Sequence, residues 1–189
     1  MTRRTIKSKK GFTIIEVVLV LAIAGLIFLM VFIALPALQS SQRNTQREDD
    51  LARMLTAVTD YQSNNSGQTP FGTTAAAITE NKSFVKRYID DTCPEAVSSS
   101  FTDTSCSAAQ FRDPDGATYK FVAAKPAAAS ATADTALTGL PTQNDHNIYV
   151  AINATCSPNE GSIRKGTGPR QIAMIMVLEG GGITCNDNQ

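Results

Sequence analysis

Residues 12–38 read FTIIEVVLVLAIAGLIFLMVFIALPAL. From Val17 to Leu38 there are 22 consecutive positions without a charged or hydrogen-bonding side chain, and a membrane-spanning helix needs about 20. Arg3, Arg4, Lys7, Lys9 and Lys10 lie on the N-terminal side of this run, and the next basic residue is Arg43. That asymmetry predicts a cytoplasmic N-terminus, with everything after Leu38 outside. An ordinary secretory signal has an apolar region of about 7–15 residues followed by a small-x-small cleavage site. This run is longer, ends in Pro36-Ala37-Leu38-Gln39, and has no cysteine near it that would carry a lipid.

The helical pattern continues past the apolar run. Leu51, Met54, Leu55, Val58 and Tyr61 recur at steps of three and four, while Arg43, Arg47, Glu48, Asp49, Asp50 and Arg53 fall on the intervening faces. Residues 39–64 therefore read as an amphipathic continuation of the same helix, one face of which a folded body covers. A helix over about 12–64 is roughly 80 Å long at 1.5 Å per residue. Asn64-Asn65-Ser66-Gly67, with Pro70 beyond, stops it.

Residues 65–189 make the head. Residues 66–79 lack periodicity, 80–92 predict a short helix burying Phe84, Val85, Tyr88 and Ile89, and the Ser- and Thr-rich stretch to Ser107 reads as loop. Asp113-Pro114-Asp115-Gly116 is a turn leading into a strand over Thr118–Val122. Residues 123–144 read as an exposed loop. Asn147–Asn153 and Gln171–Leu178 are the two clearest strands, the second nearly all apolar and so central; Gly180–Gly182 is a turn before a short end at Ile183–Cys185. The fold class is α+β, a long N-terminal helix packed on a small antiparallel sheet.

Lys plus Arg and Asp plus Glu both total 17. Because five of the basic residues sit in the first ten positions, the rest of the chain carries 12 against 17 acidic residues. A mildly acidic body argues against direct nucleic-acid binding. Cys93, Cys106, Cys156 and Cys185 have no C-x-x-C spacing, and an even number in an exported chain reads as two disulfides. Four cysteines allow three pairings; Cys93–Cys106 and Cys156–Cys185 close the shortest loops. His146 is the only histidine, and no nucleophile-elbow sequence accompanies it, so no serine triad is expected. Asp113 and Asp115 are candidate calcium ligands, but Pro114 and Gly116 already specify a turn, and calcium needs 6–8 oxygens. Asn64, Asn81 and Asn153 head N-x-S/T triplets of a kind frequent in any Ser- and Thr-rich chain. No residue set for catalysis, a metal or a cofactor stands out.

The junction Lys10-Gly11-Phe12-Thr13-Ile14-Ile15-Glu16 joins a basic flank, a small residue, an aromatic and one acid among apolar residues. A carboxylate at the centre of a spanning helix costs about 2.5–3.5 kcal/mol on insertion scales, less near an end. Cleavage after Gly11 would create an α-amino group on Phe12, four residues from Glu16 and beside the positive end of the helix dipole. That amine, or the one on an adjoining subunit, is a fitting counter-charge.

The string KGFTIIE resembles the processing site of type IV prepilins. The resemblance implies a leader of residues 1–11, cut by a membrane prepilin peptidase between Gly11 and Phe12, a methylated new N-terminus, and Glu16 as the acid used in subunit registration. It also implies the pilin fold, with Cys156 and Cys185 as the C-terminal disulfide loop and Gly25 where members often have a helix-loosening glycine. Pro36 falls about one turn beyond the common proline. The implied partners are the peptidase, other subunits in a homopolymer and the assembly machinery, with the chain membrane-inserted first and part of an extracellular filament afterwards. The function expected is structural, not enzymatic: a pilus subunit. A minor pilin or a pseudopilin of a secretion or DNA-uptake machine shares these features, and a signal-anchored extracellular binding protein would instead retain its leader.

Overall fold

The computed structural model describes residues 11–71, 84–89, 111–124, 134–159, 161–168 and 170–188. The chain divides into two units, residues 1–41 and 42–189.

Helix α1 spans Ile14–Asn64. In the first unit it runs on through Pro36, whose ring nitrogen carries no hydrogen, so the Phe32 carbonyl lacks its usual helical donor. At its far end, in the second unit, Gly67 N–H donates to the Gln62 carbonyl at 2.7 Å with Gly67 at φ 78°. That left-handed cap is the stop expected from Asn64-Asn65-Ser66-Gly67.

In the second unit the strands are β1 (Lys120–Ala123), β2 (Thr135–Ala136), β3 (Asn147–Ile152), β4 (Ala154–Cys156), β5 (Ser162–Lys165), β6 (Ile172–Val177) and β7 (Ile183–Asp187). Four form a sheet in the order β1-β3-β6-β7, and three form a smaller one in the order β2-β5-β4. β3 and β6 run antiparallel with Val150 opposite Met174, and β6 and β7 antiparallel with Ile175 opposite Cys185.

The expected α+β class holds, with β1 paired to β3 in parallel inside a sheet whose other pairings are antiparallel. One expectation needs correction: the stretch 123–144 is not simply exposed loop, since β2 lies within it and Leu137 and Leu140 pack on a buried cluster. The strands β4 and β5 had no sequence signal, being three and four residues long with one fully apolar-facing position each, Ala154 and Ile163.

Alternation along β3 and β6 explains the central role of β6. Ile148, Val150, Ile172, Met174 and Met176 face a core built with Leu51, Met54, Ala57, Val58 and Tyr61 of α1 and with Phe71, Phe84, Phe111 and Tyr119. Tyr149, Ala151, Ala173 and Ile175 face the other way, onto Ala154, Ile163 and Ala124. Both faces of β6 are thus covered, which is why its sequence IAMIMV has no polar alternation. Phe84 precedes one turn of helix at Val85–Ile89 and meets Tyr61 edge to face at 5.4 Å. The rest of the helix expected over 80–92 lies outside the described residues.

Cys156 on β4 is bonded to Cys185 on β7, with 5.9 Å between the two Cα atoms. The bridge ties the small sheet to the edge of the large one. It closes a separation of 29 residues, and loop closure of that size contributes roughly 3–4 kcal/mol. A Cys156→Ser/Cys185→Ser double variant should lose about that much in urea unfolding, and a non-reduced peptide map of the native chain should contain the linked pair; free thiols at both positions would contradict it. Cys93 and Cys106 lie outside the described residues.

Candidate functional site

Among its described residues, the first unit offers chemistry only at the start of α1. Thr13 occupies the N-cap position of α1: Glu16 N–H donates to Thr13 Oγ1 at 3.3 Å, and Thr13 N–H donates to Glu16 Oε2 at 3.5 Å. This is the reciprocal capping arrangement of T-x-x-E, in which two orphan donors of the first turn are satisfied. Beyond it, large apolar side chains are exposed all round the helix, among them Leu19, Val20, Leu21, Ile27, Phe28 and Phe32. A helix apolar on every side is stable only inside lipid or inside a packed assembly. α1 is long and apolar enough to cross a membrane.

In the second unit an ion network fastens α1 to the loops at the edge of the sheet. Arg43, Asn44 and Arg47 share one side of the helix by their spacing. Arg47 Nε and Nη2 donate to the two carboxylate oxygens of Asp113, each at 2.6 Å, and both side chains are fully buried. Arg47 Nη1 reaches Glu179 at 2.9 Å, and Arg43 binds both oxygens of Glu179 at 2.8 and 2.7 Å. Asn44 brackets the Glu179 backbone, accepting from its N–H at 3.0 Å and donating to its carbonyl at 3.2 Å. Asp113 is further bound by Asn144 Nδ2 and by the Asp115 N–H, both at 3.1 Å.

The charges respond accordingly. Burial alone would raise the Asp113 carboxyl, but the hydrogen bonds from Arg47, Asp115 and Asn144 outweigh it and hold it below the usual carboxylate range. The Arg43 guanidinium, with help from Arg47, pulls Glu179 down to about 2. Stability carried by a depressed carboxylate is present above its unfolded value and lost as pH falls towards the folded one. The head should therefore weaken from about pH 5 down to about 2, and Glu179→Gln should flatten that slope in acid unfolding curves. Asp50, raised chiefly by burial while Tyr119 hydrogen-bonds it at 3.0 Å, works in the opposite sense. A stability unchanged between pH 5 and 2 would contradict the assignment.

Asp113, Asp115 and His146 bring ligand atoms within 4.8 Å of one another, the one place among the described residues where the calcium candidates meet a third group. The positive charge of that site is Arg47 itself: both Asp113 oxygens are held by it, while His146 Nε2 lies 2.6 Å from Asp115 Oδ2. Gly116 N–H closes the turn on the Asp113 carbonyl at 2.7 Å. The D-P-D-G sequence is thus a turn that presents an arginine partner. Asn153 is taken up internally at φ 57°, its amide facing the Gly166 and Gly168 carbonyls; Asn64 is exposed, and Asn81 lies outside the described residues.

Sequence reasoning misplaced Arg47, assigning it to the solvent side. The signal was present, since Arg47 stands one turn before Leu51 on the Leu51, Met54, Val58, Tyr61 stripe, but a charged residue there is expected inside only if a buried acid awaits it. Asp113 and Glu179, more than 60 and 130 residues away, are not identifiable as that partner from pattern alone.

One family model, described as the prokaryotic N-terminal methylation motif, matches residues 6–32. No curated protein and no solved structure matches the chain. Residues 6–32 thus carry the class III signal peptide of type IV pilin-like proteins. The motif implies processing by a prepilin peptidase and assembly with pilin machinery, belongs to a structural rather than enzymatic family, and with the apolar helix fits a membrane-anchored protein.

Proposed function

We propose that this chain is the structural subunit of a type IV pilus, cut by a prepilin peptidase after Gly11 and polymerised through residues 12–38. The observation that carries this reading is a processing motif running directly into a helix with apolar side chains exposed on every side. Such a helix is held by the bilayer first, with the N-terminus in the cytoplasm, and by its neighbours in an extracellular filament afterwards. Phe12 is then the mature N-terminus and Glu16 the assembly contact. In this reading the chain itself supplies neither catalysis nor a cofactor. The same features serve a minor pilin or pseudopilin, and the copy number of this chain in isolated filaments separates those from a major subunit.

Gly11 tests the processing step. A Cβ built at Gly11 meets nothing within 4 Å, so the chain itself accepts a side chain there; only the peptidase, which must close on the backbone beside the scissile bond, is crowded. Gly11→Val should accumulate in the membrane at full precursor mass. Normal maturation of that variant would show the cut to lie elsewhere.

A further inference from the structure

The peptide bond between Asp113 and Pro114 carries a chemistry that the ion network suppresses. Proline makes this amide tertiary, and in acid its ring nitrogen accepts a proton and departs more readily than an ordinary peptide nitrogen. An aspartate ahead of it can attack its own backbone carbonyl through a five-membered ring. The turn assembles three parts of that reaction. Asp113 supplies the attacking carboxyl group. Its backbone carbonyl, the electrophile, accepts from the Gly116 N–H at 2.7 Å, a donor placed where negative charge would develop. Pro114, the leaving group, is only half-buried. What the folded chain withholds is freedom of the nucleophile: Arg47 Nε and Nη2 hold both Asp113 oxygens at 2.6 Å, and Asn144 and the Asp115 N–H add two more bonds. We propose that Asp113–Pro114 is an acid-operated scission site of this chain, held closed by Arg47.

The groups around this restraint set the direction of its pH dependence. Arg47, from α1, is bound on its other side by Glu179 at 2.9 Å and lies 4.0 Å from Asp115, which His146 Nε2 meets at 2.6 Å. Asp50, also on α1, is bonded by the Tyr119 hydroxyl, and its carboxyl, raised chiefly by burial, loses its charge earlier in the descent. As pH falls the depressed Asp113 and Glu179 carboxyls finally take up protons, Arg47 loses its anionic partners, and Asp113 is free to turn. One carboxyl oxygen then bonds to the Asp113 carbonyl carbon, the carboxyl proton passes to the Pro114 nitrogen, and the C–N bond breaks. The products are a cyclic anhydride at Asp113 and a secondary amine at Pro114; water opens the anhydride to two carboxyl groups. Helix α1 lies before this bond and β1 to β7 all lie after it, as does the whole Cys156–Cys185 bridge. The cut removes the covalent link between the strands and the helix.

The test follows the intact mass of the full chain in detergent, held at about pH 3 with and without urea. The native chain should yield one fragment ending at Asp113 and one beginning at Pro114, severalfold more slowly without urea than with it. Arg47→Met should be cut severalfold faster than the native chain without urea and at the native rate in urea, where unfolding removes the restraint from both. Cys156→Ser/Cys185→Ser, which loses stability but keeps Arg47, separates the local hold from general unfolding: without urea it should be cut severalfold more slowly than Arg47→Met. Pro114→Ala, with an ordinary amide in place of the tertiary one, and Arg47→Met/Asp113→Leu, with no nucleophile, should both stay whole in urea over the time that cuts the native chain. Equal native rates with and without urea, a first cut at another aspartate, or cutting of Pro114→Ala at the native rate in urea would each overturn the scission site. The disulfide variant cut as fast as Arg47→Met without urea would overturn the part given to Arg47.

Discussion

A Glu16→Ala chain should be cut after Gly11, sit in the membrane in native amount, and be nearly absent from sheared surface filaments. The change removes a charge that is costly in the bilayer, so insertion is unharmed or improved. Assembly is a different matter. With Glu16 gone, the ammonium group of Phe12 on the adjoining subunit would be buried without a partner, and stranding one member of a buried ion pair typically costs about 3–5 kcal/mol. That corresponds to more than a hundredfold per contact. The measurement is filament yield by shearing and immunoblot in a strain lacking other copies of the subunit. Native yields would leave Glu16 as a capping residue of the first turn with no task in assembly.

The second large effect belongs to the head. Arg47→Met should destabilise it by about 3–5 kcal/mol, because the Asp113 carboxylate would stay buried with its guanidinium gone. Against a typical total of about 5–15 kcal/mol, that lowers the unfolding temperature on the order of 10 °C. The double variant Arg47→Met/Asp113→Leu should recover much of the loss, since replacing both members of a buried pair by apolar groups is often neutral. Thermal unfolding of the full chain in detergent, native against single and double variants, reads both. A single variant as stable as the native chain would show that the pair fastens nothing.

How far the sequence disclosed this molecule depends on the range over which each signal acts. The apolar run and the stop at Gly67 act within a few residues, so α1 and its end were legible; the cap of Thr13 on Glu16 is equally local but was not read from the sequence. β3 and β6 were legible because long β-branched and apolar runs bounded by turns are rare. β2, β4 and β5 were not, because strands of two to four residues owe their existence to neighbours: β5 is held between Thr135–Ala136 and Ala154–Cys156, and neither partner announces itself. The parallel pairing of β1 with β3 was hidden for the same reason. The network around Arg47 needed contacts across most of the chain. The N-terminal motif, by contrast, is read by an enzyme and by a membrane as a linear string, and a linear string is what a sequence displays.

The central claim is that the chain is made longer than it works, and the intact mass of the protein in sheared surface filaments tests that most directly. The account predicts a filament built mainly of this chain beginning at Phe12, without residues 1–11 and carrying a methyl group on its new amine. A chain that keeps its leader, or one found only in the membrane and never in filaments, would contradict it.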